Sequence, residues 1–162
     1  MEELIKKVQE WSVERGLNTA DPNKQRLKLW EEFGELNAAI ARDNRKDAID
    51  AIGDMIVVMI IYCQQKRYPE TKELFEIKAK LFKLLKLLNI NDAEILDYIA
   101  KCILDTRITV ECMQDVVTIL ACMAEHLDTN LKECLQSAYD VIKDRRGKMV
   151  NGVFVKESDL NG

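Results

Sequence analysis

QRLKLWEEFGELNAAIARDNRKDAIDAIGDMIVVMIIYC, residues Gln25–Cys63, reads as two consecutive helices with a short polar break at Asp43–Asn44. At about 100° per residue, Gln25, Lys28, Glu32 and Glu35 share one stripe of the first helix. Leu29, Phe33, Leu36 and Ile40 form an apolar stripe beside it, so the two glutamates border the face that must be buried. On the second helix Asp47, Asp50 and Asp54 again share a stripe, at i, i+3 and i+7. The run that follows, Met55–Cys63, is apolar on every side, the mark of a buried helix. Asp54 is thereby carried toward the interior, where a carboxylate is costly unless a cation or hydrogen bonds compensate it. Carboxylates converging from two antiparallel helices repel and raise one another's pKa unless a metal lies between them. Oxygen ligands without histidine favour Mg²⁺, or Mn²⁺, over zinc.

Outward from this pair, the chain reads as all-α with a small β appendix. Residues 2–15 predict a first helix with Leu4, Ile5, Val8 and Trp11 facing inward and Gly16 closing it. Asp21-Pro22 supplies an N-cap and a first-turn proline for the helix running to about Arg42. The next spans about Arg45 to Lys66. Pro69 opens a segment helical from Glu70 to Leu88, with Leu74, Ile77, Leu81, Leu84 and Leu88 on its inner face. Asn91 or Asp92 caps a helix to about Leu104, Thr109 or Val110 starts one reaching His126-Leu127, and Asn130 begins the last, ending near Arg146-Gly147. In the tail, Asn151-Gly152 between β-formers predicts a two-stranded hairpin.

The 162 residues suffice for one domain with its own core, and no linker divides them. With 24 basic and 28 acidic residues the net charge is −4, and no surface interleaves aromatic and basic residues, which argues against nucleic acid as a partner. Five widely spaced cysteines in apolar helical runs read as reduced thiols of a cytoplasmic protein. No signal-peptide core opens the chain, and its longest apolar run, the nine residues from Met55, is too short to span a bilayer. The lysine-rich face of residues 70–88 reads as solvation, with no membrane partner. The sole histidine, His126, follows Glu125 directly and excludes a paired Glu-xx-His di-iron site.

By itself a Glu-xx-Glu reads as a solvated helix face, because glutamate is a strong helix former. Here a second acidic stripe follows on the neighbouring helix, and Gln25 and Lys28 lie in line with Glu32. A cation beside clustered carboxylates suits a phosphate ligand bridged by Mg²⁺. The last helix carries Tyr139, Lys143 and Arg146 at i, i+4 and i+7, with Arg145 and Lys148 nearby. That cluster reads equally as favourable charge at a helix C-terminus or as a phosphate site. Finally, the Asp54 run is echoed at Asp115-Val-Val-Thr-Ile-Leu-Ala-Cys, with Glu111-xxx-Asp115 mirroring Asp50-xxx-Asp54. Either apolar helices simply look alike, or residues 70–127 are a degenerate second helical pair packed where a partner subunit would sit.

WSVERGLNTADPNKQRLKLWEEFGELNAAI, DAIDAIGDMIVVM and AYDVIKDRRGKMVNGVFVKE together resemble the MazG-like nucleoside triphosphate pyrophosphohydrolases, notably the short bacterial and phage forms. The family motif is ExxE, a spacer, then ExxD. Glu32-Phe-Gly-Glu35 matches the first half, with Glu31 as the preceding acid, and Asp54 matches the closing Asp. The position three before Asp54 is Ala51, so the third acid falls to Asp50, with Asp47 as the substitute.

The resemblance implies an all-α NTP-pyrophosphatase-type bundle with a core of about 1–66 and 130–157 and a helical insertion of about 70–127. It implies Mg²⁺-dependent hydrolysis of a (d)NTP to (d)NMP and pyrophosphate. Glu32, Glu35, Asp50 and Asp54 would hold the metal, with Glu32, Glu35 and Asp54 catalytic. Gln25, Lys28, Lys143, Arg146 and Lys148 would bind substrate. Short members assemble, so a homo-dimer or tetramer is expected. The rival from another class is a helical interaction or regulatory protein that keeps the fold without catalysis.

Overall fold

The computed structural model describes residues 1–68, 75–88, 90–104, 108–150 and 153–157. Helix α1 spans Glu2–Glu14 and buries Leu4, Ile5, Val8 and Trp11, the face its spacing predicts. Gly16 then turns the chain at φ +70°, a conformation that favours glycine, into a 3₁₀ turn over Leu17–Thr19. Asp21 caps α2 (Pro22–Ala41), its carboxylate accepting from the Asn23 N–H at 2.9 Å. Asp43 at φ +50° makes the break, and Asn44 caps α3 (Arg45–Lys66) by accepting from Asp47 N–H.

Helix α3 is the central rod. Met55 through Cys63 are all buried, and α1, α2, α6 and α7 pack around it. The approach to α7 is closest at Gly53. A Cβ there would collide with the Cys134 carbonyl oxygen and come within 2.9 Å of Ala138 Cβ. Glycine is therefore required by space, not by turn geometry.

The region expected as a helix from Glu70 begins later. Residues 69–74, including the expected Pro69 start and Leu74, lie outside the described residues. Residues 76–78 are not helical, and α4 covers only Ala79–Leu88. Lys78 explains the delay. Its backbone N–H donates to Thr118 Oγ1 at 3.1 Å, and its ammonium pairs with Asp115 at 2.6 Å. Contacts to α6 (Val110–His126) thus replace the first helical turn. The inner face also shifts: Leu85 is buried, whereas Ile77, Leu84 and Leu88 are exposed along with Leu87.

Helix α5 (Asp92–Leu104) begins with a reciprocal cap, Asn91 accepting from Glu94 N–H while Glu94 accepts from Asn91 N–H. Thr109 caps α6, and Asn130 caps α7 (Leu131–Ile142). Helices α5 and α6 pack together, and α6 rests on α3 and α7. His126 ends α6, exposed, and all five cysteines are free thiols.

Helix α7 stops at Ile142, a turn short of the expected Arg146–Gly147 end. The carbonyls that would continue it are taken from α1. Trp11 Nε1 donates to Ile142 O at 2.8 Å, and the Arg15 guanidinium donates to Lys143 O and Arg145 O. The predicted hairpin follows, β1 (Gly147–Val150) antiparallel to β2 (Val153–Lys156) with Met149 opposite Phe154. Its Asn151-Gly152 turn lies outside the described residues. The fold is all-α with a small C-terminal hairpin. Among the described residues no helix is long and apolar enough to cross a membrane.

Candidate functional site

A cleft of about 420 Å³ opens where α2, α3 and the end of α7 meet. One stripe of α3 forms a wall: Asp54, Val57, Val58, Ile61 and Gln65, spaced i, i+3, i+4, i+7 and i+11. The antiparallel α2 faces it with Asp21, Lys24, Gln25, Lys28, Glu31 and Glu32. Trp11, Ile142, Arg145 and the β2 residues Phe154 to Lys156 close the third side. Phe154 reaches there by packing edge-on against Trp11, with centroids 6.0 Å apart.

Two carboxylates define its chemistry. Glu32 is only 4% exposed. Burial pushes its pKa up, Lys28 pulls it back, and the carboxylates of Glu35 and Glu31 push it up again. Lys28 Nζ bonds both Glu32 at 2.7 Å and Glu31 at 2.9 Å. Burial works against that ammonium, but the two carboxylates win and its pKa is raised. Asp54 is pushed up to about 7, first by burial and then by Glu32 and Asp50, with Arg145 and Lys28 opposing. Gln25 is buried and donates from Nε2 to Val58 O at 3.3 Å, which ties α2 to α3 beside the pair.

The remaining expected residues divide. Glu35 and Asp50 are exposed and do not line the cleft, although their charges reach Glu32 and Asp54. Asp47, the substitute third acid, is engaged by its own helix cap, Asn44 Nδ2 donating to its carboxylate at 2.7 Å. Lys143, Arg146 and Lys148 are exposed and line no part of the cleft. Lys143 instead pairs with Asp140 at 2.7 Å, and Lys148 lies on β1 opposite Val155. The i, i+4, i+7 argument fails for them because α7 ends at Ile142, and helical spacing says nothing past that point.

Arg145, noted in the sequence only as a neighbour, is the basic residue just past α7 that lines the cleft. Arg15 holds it there. Nε and Nη2 donate to Arg145 O at 3.3 and 2.9 Å, Nη2 donates to Lys143 O at 3.2 Å, and the guanidinium stacks 4.7 Å from the Trp11 ring. Sequence reasoning missed Arg15, Lys24, Gln65, Phe154 and Lys156. Lys24 was available as the next turn of the Gln25–Lys28 stripe. Phe154 and Lys156 reach the cleft only through the hairpin's docking.

Among the described residues no three Asp, Glu, His or Cys side chains stand together closely enough to hold a metal, so the expected four-acid shell is not assembled. Glu32 and Asp54 nevertheless make an all-oxygen pair whose repulsion a cation would relieve. Mg²⁺ commonly binds through one or two carboxylates with substrate phosphates and water completing its shell. The donor set fits a cation that arrives with a phosphate ligand better than a dedicated protein cage. Lys24, Lys28, Arg145 and Lys156 around the same cleft suit such a ligand.

No protein-family profile and no solved structure matches the chain. Over 75 residues it is 41% identical to the "Uncharacterized 18.2 kDa protein in rep-hol intergenic region" of Haemophilus phage HP1. The match covers 45% of this chain and 45% of that protein, so the chain spans less than half of its relative's length.

Proposed function

We propose that the protein is a Mg²⁺-dependent nucleoside triphosphate pyrophosphohydrolase whose reaction takes place between α2 and α3. The observation that carries this reading is the coupled Glu32–Asp54 pair, with Asp54 raised to about 7 in a cleft ringed by cations. Glu32 and Asp54 would hold Mg²⁺, with Glu35 and Asp50 a turn away strengthening the negative field. When bound, the metal supplies neutralisation of triphosphate charge and acidifies a water molecule.

The chain's own groups do the rest. Lys28, Lys24, Arg145 and Lys156 take the phosphate oxygens and stabilise the negative charge developing on the departing pyrophosphate. A water oxygen bonds to phosphorus, the bond to the pyrophosphate oxygen breaks, and the water's proton passes to the Asp54 carboxylate. Gln25, anchored on Val58 O, keeps α2 in register with α3 so that Glu32 and Asp54 stay opposed.

Pyrophosphate release from each NTP and dNTP with Mg²⁺ tests the proposal. Glu32→Gln and Asp54→Asn should each abolish release with the helical circular dichroism intact. Normal turnover by both variants would exclude this chemistry. The exposure of Glu35 and Asp50 favours one alternative, a non-catalytic helical interaction protein. Nucleotide binding without any pyrophosphate release would select it.

A further inference from the structure

Helix α4 leaves its apolar side to solvent. Leu85 is its one buried residue, while Leu84, Leu87 and Leu88 are 49, 71 and 57% exposed, with Ile77 just ahead of the helix at 39%. At about 100° per residue, Lys80, Leu84, Leu87 and Leu88 fall on one side, with Lys83 at its edge. Helix α5 adds Tyr98 and Leu104, both exposed. Of the nine large hydrophobic side chains exposed among the described residues, six therefore lie between Ile77 and Leu104. The two helices adjoin. Both pack on α6, and Tyr98 has its pKa raised by burial and then by Asp115, with Lys78 opposing, so α5 passes beside the start of α4. A concentrated apolar surface of this kind marks an interaction site.

Charge says what covers it. From Ile77 to Asn91 the sequence has four lysines and no acid. Lys78 and Lys86 are held by Asp115 and Glu125 of α6. Lys80 and Lys83 are exposed and make no ion pair among the described residues. Helix α5 carries Asp92, Glu94 and Asp97 against Lys101 alone, and Asp97 is likewise exposed and unpaired among the described residues. A basic leucine face thus stands beside an acidic one. An anionic lipid surface would attract the first and repel the second. A second copy turned about a two-fold axis satisfies both, because the patch is its own complement.

We propose that two copies of this chain join through this face, α4 of each lying on α5 of the other. Leu84, Leu87 and Leu88 are then closed off from water, and Lys80 and Lys83 face the partner's Asp97. Family resemblance implies assembly without naming a surface. The exposed leucines supply one, on helices outside the expected core of 1–66 and 130–157, whatever the cleft hydrolyses.

Sedimentation velocity of the full chain over a range of concentrations tests this. The expected result is a species of twice 18.7 kDa. Two short helix faces make a small interface, so the expected Kd is about 1–10 µM. Leu87→Glu, at a side chain already 71% exposed, should weaken the dimer about a hundredfold with the helical circular dichroism unchanged. The double variant Lys80→Glu/Lys83→Glu and the single variant Asp97→Lys should each weaken it about tenfold. Mixing those two proteins should restore association, since the acidic α4 of one then meets a lysine on α5 of the other while the second contact keeps its native charges. A monomer at all concentrations, or a dimer indifferent to Leu87→Glu, would overturn the proposal. Sensitivity to Leu87→Glu but not to Asp97→Lys would overturn the pairing of α4 with α5. A monomer that sediments with phosphatidylserine–phosphatidylcholine vesicles would overturn the second copy as occupant and assign the face to lipid.

Discussion

Replacing Asp54 by asparagine should make the protein more stable at mildly alkaline pH. Asp54 has its pKa raised from 3.8 to about 7, first because burial disfavours its charge and then because Glu32 and Asp50 repel it. The raised value fixes the sign. Below pH 3.8 the carboxyl is neutral folded or unfolded, and nothing is lost. Between 3.8 and about 7 the folded state holds the proton that the unfolded state releases, so stability falls as pH rises. Above that window the charged group sits in the cleft at full cost. A shift of about three units corresponds to about 4 kcal/mol, and the open side of the cleft reduces this to roughly 2–4.

Asp54→Asn removes the charge at nearly constant shape. In EDTA, urea denaturation should therefore find the variant more stable than the parent by roughly 2–4 kcal/mol at about pH 8.5, with the gap closing by about pH 4. Millimolar Mg²⁺ should raise the melting temperature of the parent at high pH and leave the variant unmoved. Equal stability of the two proteins across the whole range would refute the argument, because it would mean that Asp54 is hydrated well enough to ionise at no cost.

Arg15→Ala removes the donors to Lys143 O and Arg145 O, and should lower stability by about 2 kcal/mol in urea while raising the nucleotide KM as Arg145 loses its support. Gly53→Ala drives a methyl group into the Cys134 carbonyl and Ala138, so α7 must move away from α3; about 3 kcal/mol or more should be lost, read as a lower denaturation midpoint. Glu35→Gln, on an exposed side chain outside the cleft, should weaken the apparent Mg²⁺ affinity several-fold yet retain measurable turnover, unlike Glu32→Gln. Lys143→Ala should leave nucleotide KM within about twofold, since its partner is Asp140 and not the cleft.

The helices were legible wherever one local signal settled the matter. Asp21-Pro22, Thr109 and Asn130 each cap the helix their spacing announces, because a side-chain oxygen satisfies free N–H groups within its own first turn. Met55–Cys63 was legible for a different reason: a helix apolar all round has nowhere to go but the centre. The two failures, at Lys78 and at the end of α7, share a cause. In both, a partner distant in sequence captured backbone groups that helical pattern alone would have spent on another turn. Propensity is a weak prior where tertiary contacts compete for the same hydrogen bonds.

The site divides along the same line. Glu32 and Asp54 could be found because helical spacing tied each to an adjacent apolar face, and burial makes a carboxylate chemically unusual wherever it occurs. Glu35 and Asp50 satisfied the spacing equally well but sit a turn further toward solvent, where the same residue type is ordinary surface. Spacing identifies which residues share a stripe; the depth of the neighbouring helix decides which of them are covered. The cations were less legible still. Arg145 enters the cleft because Trp11 and Arg15, more than a hundred residues earlier, hold the end of α7 by its carbonyls, and no periodicity within α7 carries that information. The acid pair is thus written into two adjacent helices, whereas its cationic wall exists only once α1, α7 and the hairpin have docked. Mutations in α1 that leave every acid in place should therefore weaken phosphate binding before they disturb Asp54.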